Sequence, residues 1–179
     1  MTMQKAASPI PLPCPSAARR TAPSGDSAQH ALWKLLDALA LCRAQYNLSA
    51  NSLSVLRALI SFLPKTTTAT DALLVWPSNR SLCERADGMD ERTLRRHLDR
   101  LVKAELICRR SSSNGKRFAL RCRKTIVMAF GFDLGPLLER AEEIIAAAQN
   151  VRNRAEQATT LRVEILNLLH ALGQALALE

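Results

Sequence analysis

Aromatic residues are scarce in this chain, at 4% of the sequence with a single tyrosine. A core with so few rings must rest on Leu, Ala, Ile and Val, which supply most of the 47% apolar content, and that composition favours helices. Histidines number three, and no pair among Cys14, Cys42, Cys83, Cys108 and Cys122 has CxxC spacing, so no metal site is expected. The odd count and wide spacing of these cysteines suit reduced thiols in a cytosol. No apolar run reaches the ~18 residues of a membrane span. Prolines interrupt the N-terminus where a signal peptide needs a continuous apolar stretch. A soluble, cytoplasmic protein without a membrane partner is therefore expected. The sequence also lacks a Walker A loop, GxGxxG, HExxH and GxSxG, so neither enzyme chemistry nor a cofactor is expected.

Acid is the other shortage. Asp and Glu total 16 against 25 Lys and Arg, for a net charge of +9 and a pI near 10.0. Such a surplus implies an anionic partner, nucleic acid or a membrane surface. Its placement says more. Between Asp90 and Lys124 twelve Lys/Arg meet four Asp/Glu, which puts +8 of the +9 in one stretch.

Residues 1–26 hold five of the eight prolines among Ser and Ala, and too little apolar surface to offset ordering, so this arm is predicted to be disordered. From Ser27 to Gln45, Leu32, Leu35, Leu36, Leu39 and Cys42 recur at helical steps, and Tyr46-Asn47 ends the helix. A second helix opens at Ser49 or Ser52 and runs to Leu63, where Pro64 stops it. The threonine-rich run Lys65–Asp71 reads as a loop, and Leu73–Pro77 as a short strand. Ser78 caps a helix from Asn79 to Ala86. Gly88 then supplies a left-handed turn residue and Asp90 caps the next helix, Glu91–Glu105.

That helix has two unlike faces. Leu94, Leu98, Leu101 and Val102 lie within about 100° on a helical wheel, and Arg92, Arg96, Arg100 and Lys103 lie opposite. Leu106–Ser111 and Lys116–Cys122 alternate as strands, and Asn114-Gly115 between them fits a type I′ hairpin turn. The predicted fold is mostly α with a small β wing. It is a winged helix-turn-helix over 27–132, whose second helix suits the DNA major groove. His97, on this helix, reads as a phosphate-flanking or core-edge residue. Beyond it, 133–179 carries a 4,3 apolar spacing: Leu137, Ala141, Ile144, Ala148, Val151, Ala155, Ala158, Ile165, Leu169, Leu172 and Leu176, broken at Arg162. This predicts one long coiled-coil helix, or a helical hairpin bent near Gln157–Thr160.

The motifs "LSANSLSVLRALISFLP", "LVWPSNRSLCERADGMDERTLRRHLDRLVKAELICRRSSSNGKRFALR" and "AFGFDLGPLLERAEEI" resemble, in order, the N-terminal region of RepC, the replication initiator of low-copy plasmids. The likeness runs from about Leu32 to Ala146. It implies binding to the plasmid origin, a segment that is often A+T-rich and inside the coding sequence, and a further domain of comparable size in full-length members. The expected partner is double-stranded DNA. Arg92, Thr93, Arg95, Arg96, Arg100 and Lys103 would read or flank the major groove, where arginine to guanine is the commonest specific contact. Ser78, Asn79 and Arg80 would hold phosphate at the start of the preceding helix. Arg109, Arg110, Asn114, Lys116 and Arg117 would bind backbone from the wing. Ile165, Leu169, Leu172 and Leu176 would form a homodimer contact. Rival readings are a winged-helix transcription regulator on a palindromic operator, and a coiled-coil protein–protein module.

Overall fold

The computed structural model describes residues 25–63, 73–112, 117–122 and 125–176. The expected disordered arm, except its last two residues, and the threonine-rich loop lie outside these. Helix α1 spans Gly25–Cys42 and passes through a 3-10 turn, Arg43–Tyr46, to Asn47, whose φ of 52° reverses the chain. Helix α2 spans Ala50–Ser61, with Ser49 as its cap accepting from the Ser52 amide. Strand β1 is Leu74–Val75 and helix α3 is Asn79–Arg85, capped by Ser78. Helix α4, Glu91–Lys103, is capped by Asp90. Strands β2 (Cys108–Arg110), β3 (Phe118–Cys122) and β4 (Thr125–Asp133) follow, then the short helix α5 (Gly135–Glu139) and the long helix α6 (Ala141–Leu176).

The chain is mostly helical, and its core is leucine-built. Leu32 and Leu39 of α1, Leu56, Leu59 and Ile60 of α2, and Leu94, Leu98 and Leu101 of α4 are all fully buried. Each such side chain contributes ~1.5–3 kcal/mol on leaving water. The same core continues across position 133, through Phe132, Leu134, Leu137, Ile144 and Ala148. Helix α1 therefore packs against both α2 and the start of α6. Cys42 is a buried free thiol and Cys83 a half-buried one.

The sheet differs from the expected hairpin. Strands β2 and β3 do not pair with each other; both pair antiparallel with β4, which also pairs with β1. The β3–β4 register runs from Phe118↔Phe130 to Cys122↔Thr125. The predicted turn at Asn114-Gly115 lies outside the described residues. Alternation marks a strand but cannot name its partner. The nine-residue, mostly apolar β4 offers more backbone to pair with than the three-residue β2. At Gly131 the strands β1 and β4 approach so closely that a Cβ would sit 2.1 Å from the Val75 carbonyl oxygen.

Helix α6 is one uninterrupted element of 36 residues, so the alternative with a bend at Gln157–Thr160 is not adopted. No Gly or Pro interrupts it between Ala141 and Leu172, and the threonines there bond back into the helix: Thr159 to the Ala155 carbonyl, Thr160 to that of Glu156. Its first turns pack on the core. Every residue from Arg152 to Gln174 is exposed.

Candidate nucleic-acid interface

Helix α4 is held at its start and along its inner face. At its start the Asp90 carboxylate accepts from the Thr93 amide at 2.9 Å, and hydrogen bonding from the Thr93 side chain first, then from this amide, holds the Asp90 carboxyl below its ordinary range. The preceding turn is made by left-handed Asp87 and Gly88, with φ of 59° and 71°. Along its inner face Leu94, Leu98 and Leu101 lock into the core. So does His97, which is 2% exposed, and whose Nδ1 lies 2.9 Å from the Ser52 hydroxyl of α2. His97 is therefore a core residue facing α2, not a phosphate-flanking one. Burial first, then the nearby Arg100 and Arg96, pushes its pKa down.

The outer face carries the charge. Arg92, Arg96, Arg100 and Lys103 are exposed on one side of α4, and no ion pair engages them among the described residues. Thr93 is half-buried beside them. The other predicted cations are committed in varying degree. Arg95 pairs with Glu91 one turn back, and both are largely exposed, so the pair adds little to stability. Arg80 pairs with Glu84 along α3 while remaining 90% exposed. Arg109 reaches Asp99 at 3.2 Å. Arg110 pairs at 2.9 Å with Asp133, whose other oxygen accepts from the amide of Gly135, the first residue of α5.

Arg117 is half-buried. Its Nη1 donates to the Pro77 carbonyl at 2.9 Å and its Nη2 to the Asn79 side-chain oxygen. The Asn79 amide nitrogen in turn donates to Glu91. The bond from Asn79 first, and then the one from Arg95, holds the Glu91 carboxyl below its usual range. Ser78 spends its hydroxyl on the cap of α3, accepting from the Ser81 amide at 3.1 Å. Asn114 and Lys116 lie outside the described residues.

Together the start of α3, the outer face of α4 and the approach to β3 form one contiguous surface, linked by the Asn79–Glu91, Asn79–Arg117 and Arg109–Asp99 contacts. The acids of this surface and Phe132 are absent from the sequence-predicted set. The signal for Phe132 is the quoted "FGFDL" itself: Gly131 permits the strand approach, Phe132 is fully buried beneath two arginines, and Asp133 anchors Arg110.

On α6, Ile165, Leu169 and Leu172 are each more than half exposed, and Leu161 and Leu168 join them in the stripe. The side chain of Leu176 lies outside the described residues. No helix among the described residues is long and apolar enough to cross a membrane, and no cluster of potential metal ligands occurs among them.

Helix α4 thus presents an exposed basic face over a leucine-built core. The chain matches the replication protein C N-terminal domain over residues 14–178, and it belongs to that family. It is 46% identical over 132 residues to a protein of Sinorhizobium fredii (strain NBRC 101917 / NGR234) described as replication protein C, covering 73% of this chain and 33% of that one. A protein of Rhizobium rhizogenes with the same description is 42% identical over 148 residues, covering 78% of this chain and 36% of the relative. The chain thus spans about a third of the length of the curated relatives it matches. No solved structure matches it at a significant level.

Proposed function

We propose that this chain is the origin-binding part of a plasmid replication initiator, and that it docks on double-stranded DNA as a winged helix-turn-helix. In this reading α3 and α4 are the helix-turn-helix pair, α4 lies in the major groove, and the β2–β3–β4 region is the wing. The observation that carries it is the row Arg92, Arg96, Arg100 and Lys103, exposed together on α4 without ion-pair partners among the described residues. A face kept cationic and unpaired is costly in self-repulsion unless an anion neutralises it. The family supports the choice of replication over regulation, since both curated relatives are described as replication proteins. Arg92, Thr93 and Arg96 are assigned to base edges, and Arg95, Arg100 and Lys103 to flanking phosphates. Arg80 is assigned to phosphate beside the capped start of α3, and Asn114 and Lys116 to phosphate from the wing. The winged unit occupies 27–132, preceded by the arm 1–26 and followed by the helical tail 133–179. Two copies joined through Ile165, Leu169, Leu172 and Leu176 would present two basic faces to one duplex.

The test is titration of origin-region and random duplexes at rising salt. Arg96→Ala should cost ~1–3 kcal/mol on origin DNA and relax the preference over random DNA. Lys103→Ala should weaken both alike and flatten the slope of log K against log salt by ~0.9. If Arg96→Ala weakens origin and random DNA equally, α4 does not read sequence. A wild-type slope shallower than about −2 would reject multi-phosphate docking.

A further inference from the structure

Two acids stand on the cationic side of α4, where an anionic partner would repel them. Glu91 and Asp99 are 50% and 60% exposed, so nothing about burial requires them. Asp99 is tied directly to an arginine outside α4, and Glu91, besides its pair with Arg95, is linked to one through Asn79. Asp99 holds Arg109 of β2 at 3.2 Å, and Glu91 holds Asn79, which holds Arg117. Both arginines lie over the same ring: the Arg117 guanidinium is 4.6 Å and that of Arg109 5.5 Å from the centroid of Phe132, which is 0% exposed.

Resting on the DNA-docking reading above, we infer that Arg109 and Arg117 are positioning residues that brace the recognition helix against the wing, with Glu91, through Asn79, and Asp99 as their anchors. Arg117 uses both terminal nitrogens on protein oxygens, Pro77 O and Asn79 Oδ1. Reaching a phosphate would break both bonds and uncover the stacked face. Burial, and then the neighbouring Arg109, lowers its pKa, as expected of a guanidinium withdrawn from water rather than presented to it. A planar guanidinium that stacks and makes bonds from two nitrogens fixes an angle as well as a distance. The two braces act at separate points on α4, one in its first turn and one past its middle, so together they set the tilt of the helix relative to the sheet. The acids lower attraction for any DNA, and in exchange the geometry favours the matched sequence.

Salt titration of Arg109→Ala, Arg117→Ala, Arg117→Lys and Asp99→Asn on origin and random duplexes tests this. A positioning role predicts that both alanine variants keep the wild-type salt slope while the origin-to-random preference falls by a factor on the order of ten. Arg117→Lys should not restore the preference, because an ammonium cannot reproduce the stacked, two-nitrogen contact. Asp99→Asn should release Arg109 to phosphate, steepening the slope by ~0.9 as preference drops. The inference is overturned if Arg109→Ala or Arg117→Ala flattens the slope by ~0.9 with preference intact, or if Arg117→Lys behaves as wild type, since those are the marks of plain phosphate contacts. If Lys103→Ala and Arg96→Ala also leave slope and preference unmoved, the docking reading fails and takes the inference with it. A flattened slope in Arg109→Ala beside the expected Lys103→Ala result removes the inference alone.

Discussion

At position 97 a histidine occupies a place where the amphipathic pattern asks for an apolar side chain. Its Nε2 is buried without a hydrogen-bond partner among the described residues, and Nδ1 meets the Ser52 hydroxyl. Protonation would put a charge in the core beside Arg96 and Arg100, so the folded pKa lies below the ordinary 6.5. A depressed value means that the unfolded chain binds the proton more readily. The stability contributed by neutral His97 is thus complete above pH ~6.5 and is lost as pH falls through the folded pKa. Thermal unfolding between pH 7.5 and 5 should show wild type losing stability faster than His97→Asn, which keeps an acceptor for Ser52 but no titratable ring. Equal slopes would mean that His97 is not buried neutral. Gly131 is the other position where one atom matters. Its missing Cβ leaves room for the Val75 carbonyl, and because the obstacle is backbone, it cannot rotate away. Gly131→Ala should destabilise by ~1–3 kcal/mol or more in urea unfolding, as overpacking does. Neither residue's role is legible from type alone. Histidine on a basic helix suggests phosphate, and glycine in an apolar run suggests a turn; only the neighbouring strand and helix show otherwise.

Among the elements, the helices were legible because their evidence is local. Ser49, Ser78 and Asp90 each cap the helix their position predicts, and the leucine spacing of α1 and α4 marks the faces that are buried. Strand β4 was not legible in the same way. Its run Ile126–Phe132 is nearly all apolar and shows no alternation, and its importance comes from pairing with the distant β1 and with β2 as well as with the adjacent β3. The root of α6 was equally hidden, because it depends on residues about a hundred positions apart. The Arg140 guanidinium donates to the Ala104 carbonyl, grips Glu143 and lies 5.2 Å from the Tyr46 ring, while the Tyr46 hydroxyl donates to Glu143 at 3.1 Å. Burial, reinforced by the Glu143 carboxylate, pushes Tyr46 up to about 12. A raised value means the folded protein keeps its proton longer, so this stabilisation holds below pH ~10 and is lost as pH rises through the folded pKa. As the chain has one tyrosine, absorbance titration reads this group alone. The expected midpoint is about 12 in the folded protein and lower in Glu143→Gln. An ordinary midpoint in wild type would mean that the α6 root is not held this way.

For the whole molecule, the question is what the outer part of α6 meets. Cutting the chain after Gln149 leaves Ile144 and Ala148 in the core, so the truncated protein should stay folded. If two copies join through the tail, that cut should turn a dimer into a monomer and lower DNA affinity by a factor on the order of 10² or more, through lost bivalency. Sedimentation equilibrium showing the intact chain to be monomeric at tens of micromolar would reject the pairing. The exposed helix also has a hydrodynamic consequence. From Arg152 to Leu176 it projects as a rod ~37 Å long at ~1.5 Å per residue. A rod adds drag out of proportion to its mass, so a single 19.7 kDa chain should leave a gel-filtration column ahead of globular proteins of its own weight. Two chains with their rods side by side would be little longer than one. Pairing would therefore barely move the elution volume, yet it would clearly raise the sedimentation coefficient, because the mass doubles while the drag does not.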